Sequence, residues 1–447
     1  MTATSGAARR AVGEAARKAT PPSAVGDWQP SANRPDPVAS LEEQSATRVQ
    51  DLVPVRYGRM LVSPFTFYRG AALPMAGDLA SVPVSGITTQ LCGDAHLSNF
   101  GLFASPERDL VFDINDFDET LPGPWEWDVL RLATSLVIAA RDRGFDAHQG
   151  RHALHAAVRS YQTRMHEYAA MRSIEVYYTK VDAMGILAAV DARAKAYLES
   201  TIKSAAHHDA LHELPKLTEV KDGKRRIVDR PPIITHPAEL TFTLAEEGIA
   251  QYRETIQEDR RVLLDRYSLV DTAMKVVGVG SVGLVALVAL LDGGDGDDPL
   301  FLQAKEAQAS VLERFLGASA QGHHGERIVT GQRRLQATSD IFLGWTTGER
   351  GKHIYIRQLQ DQKAGALIDA MTPDDLTSWG QLCAWALARG HARSGVPASI
   401  AAYLGTDDEF AHAAGRFATT YADVNQRDFE ALGAAAAAGK IKVEAGV

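Results

Sequence analysis

Cysteine is scarce: 447 residues contain two, Cys92 and Cys383, far apart in the chain. That excludes a disulfide framework and any Cys-x-x-Cys metal site. Long apolar runs are missing as well. The longest, Leu284 to Leu291, is far short of the roughly 18 residues that a bilayer-spanning helix needs. Nor is there a basic surplus. Lys and Arg number 47 against 56 Asp and Glu, a formal charge of −9, which argues against a general nucleic-acid-binding face but leaves room for a local basic pocket. Arg9, Arg10, Arg17 and Lys18 lie among alanines without the apolar core of a signal peptide. Residues 1–45, rich in Ala, Pro, Ser and Arg, therefore read as a disordered tail, and the protein as cytoplasmic.

What is present is a globular composition, 45% hydrophobic and 23% charged, long enough for one large domain or two to three ordinary ones. Two acidic runs stand out. Gly93-Asp94-Ala95-His96-Leu97-Ser98-Asn99 follows Thr88–Cys92, which reads as a short strand, and Asn115-Asp116-Phe117-Asp118-Glu119 follows the strand-like Leu110–Ile114. Each places carboxylates, and the first an amide, where a short strand ends in a turn. Asp94 is a base candidate, and Asn99 and Asp116 are oxygen ligands suited to a divalent cation. Cys92, beside the first turn, reads as a small apolar strand residue. Arg56, Arg59 and Arg69, dense just upstream, are either phosphate-binding forks or partners of local carboxylates. From Trp125 an apolar helix begins, and residues 150–210 read as helical. His207, His208, Asp209 and His212 have the look of a metal cluster, but a solvated helix end explains them as well. Lys221–Arg226 reads as the basic tip of a hairpin.

From residue 270 the pattern changes. Gly278, Gly280, Ser281 and Gly283 form a glycine loop, followed by an apolar strand, the acidic turn Asp292–Pro299, and a strand that ends at Lys305. No helix directly follows Gly283, as a dinucleotide-binding turn requires, and no lysine follows the glycines as in a P-loop. Gln308–Phe315 reads as a helix carrying Glu313. Ile341–Trp345 and His353–Leu359 read as two further strands, making a five-stranded sheet, with Gln358 and Leu359 opening a hinge where an adenine could dock. Leu376–Gly390 and 408–434 read as closing helices before a frayed Ala-rich tail.

Gly93–Asn99 resembles the GDxHxxN catalytic loop of aminoglycoside phosphotransferases and related kinase-like enzymes. Asp116-Phe117-Asp118 is similar to their metal-binding segment, and Trp127-Asp128-Val129-Leu130-Arg131-Leu132 to the helix that braces the loop. From about residue 45 the chain also resembles an uncharacterised bacterial family of unknown function. The resemblance implies an α+β, bilobal protein-kinase-like fold in circularly permuted order, since here the glycine loop and lysine follow the catalytic loop. It implies a large-lobe catalytic part at 46–265, a small nucleotide-binding lobe at 266–363 and closing large-lobe helices at 364–447. It further implies a phosphotransferase that uses ATP and Mg²⁺ on a small-molecule hydroxyl. Asp94 would be the base, and Asn99 and Asp116 would hold Mg²⁺, with Asp118 either a further metal ligand or a structural acceptor. Lys305 would pair with the phosphates, steadied by Glu313 or its rival Glu306, under the backbone of Gly278, Gly280, Ser281 and Gly283. A protein kinase, an AMP-transferring enzyme and a nucleotide-binding regulatory pseudokinase remain alternatives.

Overall fold

The computed structural model describes residues 5–182, 185–186, 199, 202–203, 210–221, 224–237, 242–276, 278–280, 282–294, 298–359, 364–365 and 367–446. The fold is mixed α+β. Strands β1 (Thr88–Leu91) and β4 (Leu121–Pro124) form an antiparallel pair. Between them β2 (Phe100–Ala104) and β3 (Leu110–Ile114) pair antiparallel, so both acidic runs leave or enter adjacent strands. A hairpin of β5 (Thr218–Lys221) and β6 (Lys224–Ile227) follows. The widest sheet then combines β7 (Ile234–Thr235), β8 (Ser268–Lys275), β9 (Ala286–Asp292), β10 (Pro299–Glu306), β11 (Gly344–Thr347) and β12 (His353–Gln358), in the order β11-β12-β10-β9-β8-β7. It has six strands where five were expected, because Ile234–Thr235 adds an edge on β8.

Period-two alternation fixes what each face of this sheet does. Val288, Leu290 and Phe301 pack into one apolar cluster, and Leu291, Leu300, Leu302 and Ile356 into another. The antiparallel register sets Lys305 opposite Tyr355 and Gln303 opposite Arg357. Directly opposed residues share a face, so Lys305, Tyr355 and Arg357 project together. Beyond β12 the short strand β13 (Ala364–Gly365) pairs with β2, which ties the widest sheet's exit to the strand that leaves the first acidic run.

The helices Trp125–Asp142, Ala147–Ala170, Pro373–Ser394 and Glu409–Ala437 surround one large core. Trp125 is stacked on Tyr161 at its centre, with ring centroids 5.6 Å apart. All residues from Trp125 to Ala140 are buried, so this helix is enclosed on every side.

Several expectations are corrected. Residues 5–45 are folded, not a disordered tail. Ser5 caps the helix Gly6–Ala19, and Arg17 at its end donates to the carbonyls of Tyr403 and Leu404 at 2.8 and 2.6 Å. Val25 is fully buried. The other end of the chain is likewise packed: Ile441 joins an apolar cluster, and the Glu444 N–H donates to Pro54 at 2.9 Å. Gln308–Phe315 is not a full helix; only Glu313–Leu316 is helical, and it stops at Gly317, whose φ is 90°. The longer helix is His324–Leu335. The strand expected at 341–345 starts at Gly344. Of the expected cluster, His207, His208 and Asp209 lie outside the described residues, and His212 falls in the helix Ala210–Leu217.

Candidate functional site

Gly93 turns the chain out of β1 with φ 85°, and a Cβ there would lie 2.2 Å from the Glu119 carbonyl. Only glycine fits this close approach of the two acidic runs. The Cys92 and Gly93 N–H groups both donate to Asp128, from the helix Trp125–Asp142. Next, the Asn99 side-chain amide donates to the Asp94 carbonyl at 2.7 Å, so the amide oxygen is the atom with which Asn99 could hold a cation. Asn115 N–H donates to the Asn99 carbonyl at 2.8 Å, locking the second run to the first.

A cavity of about 150 Å³ opens on these groups. Asp94, Asn99, Asp116 and Asp118 line it together with Gly278, Gly280, Arg48, Arg69 and Glu306. The downstream glycine loop and the upstream acidic runs therefore share one cavity. Lys305, opposite Tyr355 on the sheet, reaches Asp118 as an ion pair, and the Tyr355 hydroxyl donates to the other Asp118 oxygen at 2.9 Å. Burial alone would lower the Lys305 ammonium, but Asp116 and Asp118 outweigh it and hold its pKa above the ordinary range. Asp118 is held low despite its burial, chiefly by Lys305. Burial also raises the Asp94 carboxyl, against the pull of Arg131, whose Nε lies 2.5 Å from Oδ1. His96, buried beside Arg69 and Arg131, is pushed well below its usual range and is neutral.

The expected partner of Lys305 is not the one found. Glu313 accepts from the Ser310 N–H and lies 3.6 Å from Arg327, and Glu306 pairs with Lys352 at 2.9 Å. Neither carboxylate pairs with Lys305, whose side chain leaves β10 toward Asp118. Both Asp118 oxygens are engaged, so its place is that of an anchor for Lys305 and Tyr355. Gln358 lines a separate cavity of about 130 Å³ with Asn115, Asp340 and Arg357. Its N–H is taken by Asp340. Leu359 is buried in the sheet's apolar cluster. Ser281 lies outside the described residues. Gly283 has φ 88° and accepts from the Val49 N–H at 2.7 Å, while Arg59 donates to the Gly278 carbonyl at 2.5 Å. The loop is thus held by the segment before β1.

Arg327 escaped the sequence reading. It is 2% exposed, and its guanidinium donates to the carbonyls of Asp118, Thr120 and Gln308, joining the second acidic run to the end of β10. The helix that carries it has few apolar residues, so periodicity gave little signal.

The donors fit Mg²⁺. Asn99 and Asp116 supply hard oxygens, and this ion commonly takes one or two carboxylates and completes its shell with phosphates and water. Among the described residues no group of three or more His, Cys, Asp or Glu stands together as a metal site. No helix among the described residues is long and apolar enough to cross a membrane.

Fold and site together define a mixed α+β protein in which a sheet-borne lysine and a glycine loop meet two acidic turns. Residues 48–435 match the family described as "Uncharacterized protein conserved in bacteria (DUF2252)", and the chain belongs to that family. No curated protein and no solved structure matches it.

Proposed function

We propose that the chain is an ATP- and Mg²⁺-dependent phosphotransferase of kinase-like, circularly permuted fold, moving the γ-phosphate to a hydroxyl of a small-molecule acceptor. The observation that carries this reading is the meeting of Lys305 with Asp118, 187 positions away, beside Asp94, Asn99 and Asp116. Two stretches far apart in sequence supply the two halves of one phosphate-binding cavity.

In this reading Asp94 accepts the proton of the acceptor hydroxyl, and its burial suits a base. Arg131 orients that carboxylate. Asn99 and Asp116 hold Mg²⁺, which when bound neutralises phosphate charge. Lys305 exchanges Asp118 for the α- and β-phosphates. Gly278, Gly280 and Gly283 let backbone N–H groups approach the phosphates without a Cβ between them. The Lys305–Asp118 pair also gives a second reading its support, because a lysine already satisfied suits a regulatory nucleotide binder.

The test incubates the full chain with Mg²⁺, a panel of hydroxyl-bearing small molecules, and ATP labelled at the γ- or the α-phosphate. Transfer of the γ label to a small molecule is the expected result, with Asp94→Ala abolishing transfer and sparing nucleotide binding. Transfer of the α label identifies AMP transfer instead. Binding without turnover across the panel favours the regulator, and a chain that binds no Mg²⁺–ATP sinks both readings.

A further inference from the structure

Arg69 is a cavity cation to which the proposed reaction has so far given no task; Arg48, which also lines the cavity, donates to the Val282 carbonyl at 2.6 Å. It lies in the last turn of the helix Pro64–Gly70 and lines the cavity beside Asp94, Asn99 and Asp116. Its Nε is buried and meets no acceptor, and its side chain makes no ion pair or hydrogen bond among the described residues. The neighbouring cations are committed: Arg131 to Asp94, Arg327 to three carbonyls, Arg357 to the Asn115 carbonyl and Lys305 to Asp118. A guanidinium left half-buried without a partner is costly unless an anion completes it.

Its surroundings say which anion. The Arg69 carbonyl is 3.3 Å from where a Cβ on Gly280 would stand, so the glycine loop rests on the helix end that bears this side chain. The carboxylates whose fields act on Arg69 are Asp94 and Asp116, the proton acceptor and the cation ligand of the proposed reaction. Arg69 therefore stands where loop, base and cation ligand converge, which is where the group in transit must pass.

Resting on the phosphotransferase reading, we propose that Arg69 is a catalytic residue that donates to the non-bridging oxygens of the γ-phosphoryl group during transfer. In that step the bond from the γ-phosphorus to its bridging oxygen breaks, and ADP leaves with the electron pair. The acceptor oxygen bonds to phosphorus, and its proton passes to Asp94. A planar fork matches two phosphoryl oxygens at once, which a lysine cannot do. Arginines in this role contribute on the order of 10³-fold or more to transfer. This one is supplied within the chain, by the segment that precedes β1.

The test is a binding experiment that needs no acceptor. Calorimetry on the full chain compares Mg²⁺–ADP with Mg²⁺–ADP plus aluminium fluoride, a mimic of the phosphoryl group in transit, for wild type, Arg69→Met and Arg69→Lys. In wild type the fluoride tightens binding by about 10²-fold, as expected of a transition-state mimic. Arg69→Met keeps its ADP affinity and loses at least about 10-fold of that gain, and Arg69→Lys recovers part of it. If Arg69→Met melts like wild type and keeps the whole fluoride gain, Arg69 has no such role and the phosphotransferase reading stands. Arg69→Lys alone is enough to reject the role, should the Met variant not fold and the Lys variant keep the whole gain. A wild type that binds neither Mg²⁺–ADP nor Mg²⁺–ATP removes the reading and the role of Arg69 with it.

Discussion

Asp128 accepts the Cys92 N–H at 2.8 Å on one carboxylate oxygen and the Gly93 N–H at 3.0 Å on the other. A single buried side chain thereby fixes the turn that presents Asp94. His391 Nε2 lies 3.2 Å from the same oxygen that receives Cys92, so the helix Pro373–Ser394 braces the carboxylate from behind. Asp128→Asn turns one acceptor into a donor facing a donor. With Asp128 only 1% exposed, water cannot repair the mismatch. Hydrogen bonds to a charged group contribute about 1.5–3 kcal/mol each, so urea unfolding is expected to register a loss of about 3 kcal/mol. A loss below about 0.5 kcal/mol, the range of an ordinary surface substitution, would mean that other contacts hold the turn.

Lys305 and Asp118 form the next test. Lys305 is 3% exposed, and removing one partner of a buried pair typically costs about 3–5 kcal/mol because the other charge is left behind. Lys305→Met is expected near the lower end of that range, since Tyr355 still donates to Asp118. Adding Asp118→Asn is expected to recover part of the loss, and a double-mutant cycle measures the coupling. Strictly additive losses would show that the contact has no energetic weight. Asp118 is held below its usual range, so the stability the pair contributes is present at neutral pH and is lost as pH falls through the acid range.

The parts of this site that could be read from sequence are those made by local rules. Gly93 in its turn, strands Thr88–Leu91 and Leu110–Ile114, and the helix opening at Trp125 each follow from short-range pattern and turn chemistry. The glycine loop before Ala286–Asp292 and the lysine strand after it were legible in the same way. The partner of Lys305 was not. The resemblance pointed to Glu313, with Glu306 as its rival, whereas the register of β10 against β12 turns Lys305 toward a carboxylate 187 positions upstream. Residues 5–45 were misread for a related reason. Their Ala-rich, Arg-rich composition signals low hydrophobicity, and nothing local shows that Arg17 will meet the end of the helix Pro397–Leu404. The helix His324–Leu335 was missed because Arg327 stands on its buried side, which breaks the apolar stripe.

Glu126 offers a prediction of opposite sign. It is fully buried, accepts the Ser85 N–H at 2.7 Å with Oε1, and has no partner for Oε2. Burial pushes its carboxyl up to about 7. Because the folded-state value is raised, stability is full below the unfolded value near 4.5 and is lost as pH rises through 7. A gap of that size corresponds to about 3 kcal/mol. Glu126→Gln is therefore expected to match wild type near pH 4.5 and to be the more stable protein at pH 8, by up to about 3 kcal/mol. Parallel melting curves across that range for the two proteins would contradict it.

Arg34 carries the last prediction, and it tests the folding of the N-terminal segment. Its Nε lies 2.9 Å from both oxygens of Asp78, and its two terminal nitrogens donate to Asp428 at 2.8 and 2.6 Å. Asp78 and Asp428 are each 6% exposed. Burial raises both carboxyls, and Arg34 works against that rise. Arg34→Met leaves two buried carboxylates facing each other without a cation. At pH 7.5 the cost is expected at about 3–5 kcal/mol, the usual loss when a buried ion pair is broken from one side. With the arginine gone, the two carboxyls move further above their unfolded values. The deficit should then shrink as pH falls toward 4 and they take up protons. Melting curves of the variant and wild type at pH 4.5 and 7.5 measure both effects. A deficit that is small and constant across the two pH values would mean that the segment around Arg34 is attached by apolar contacts alone.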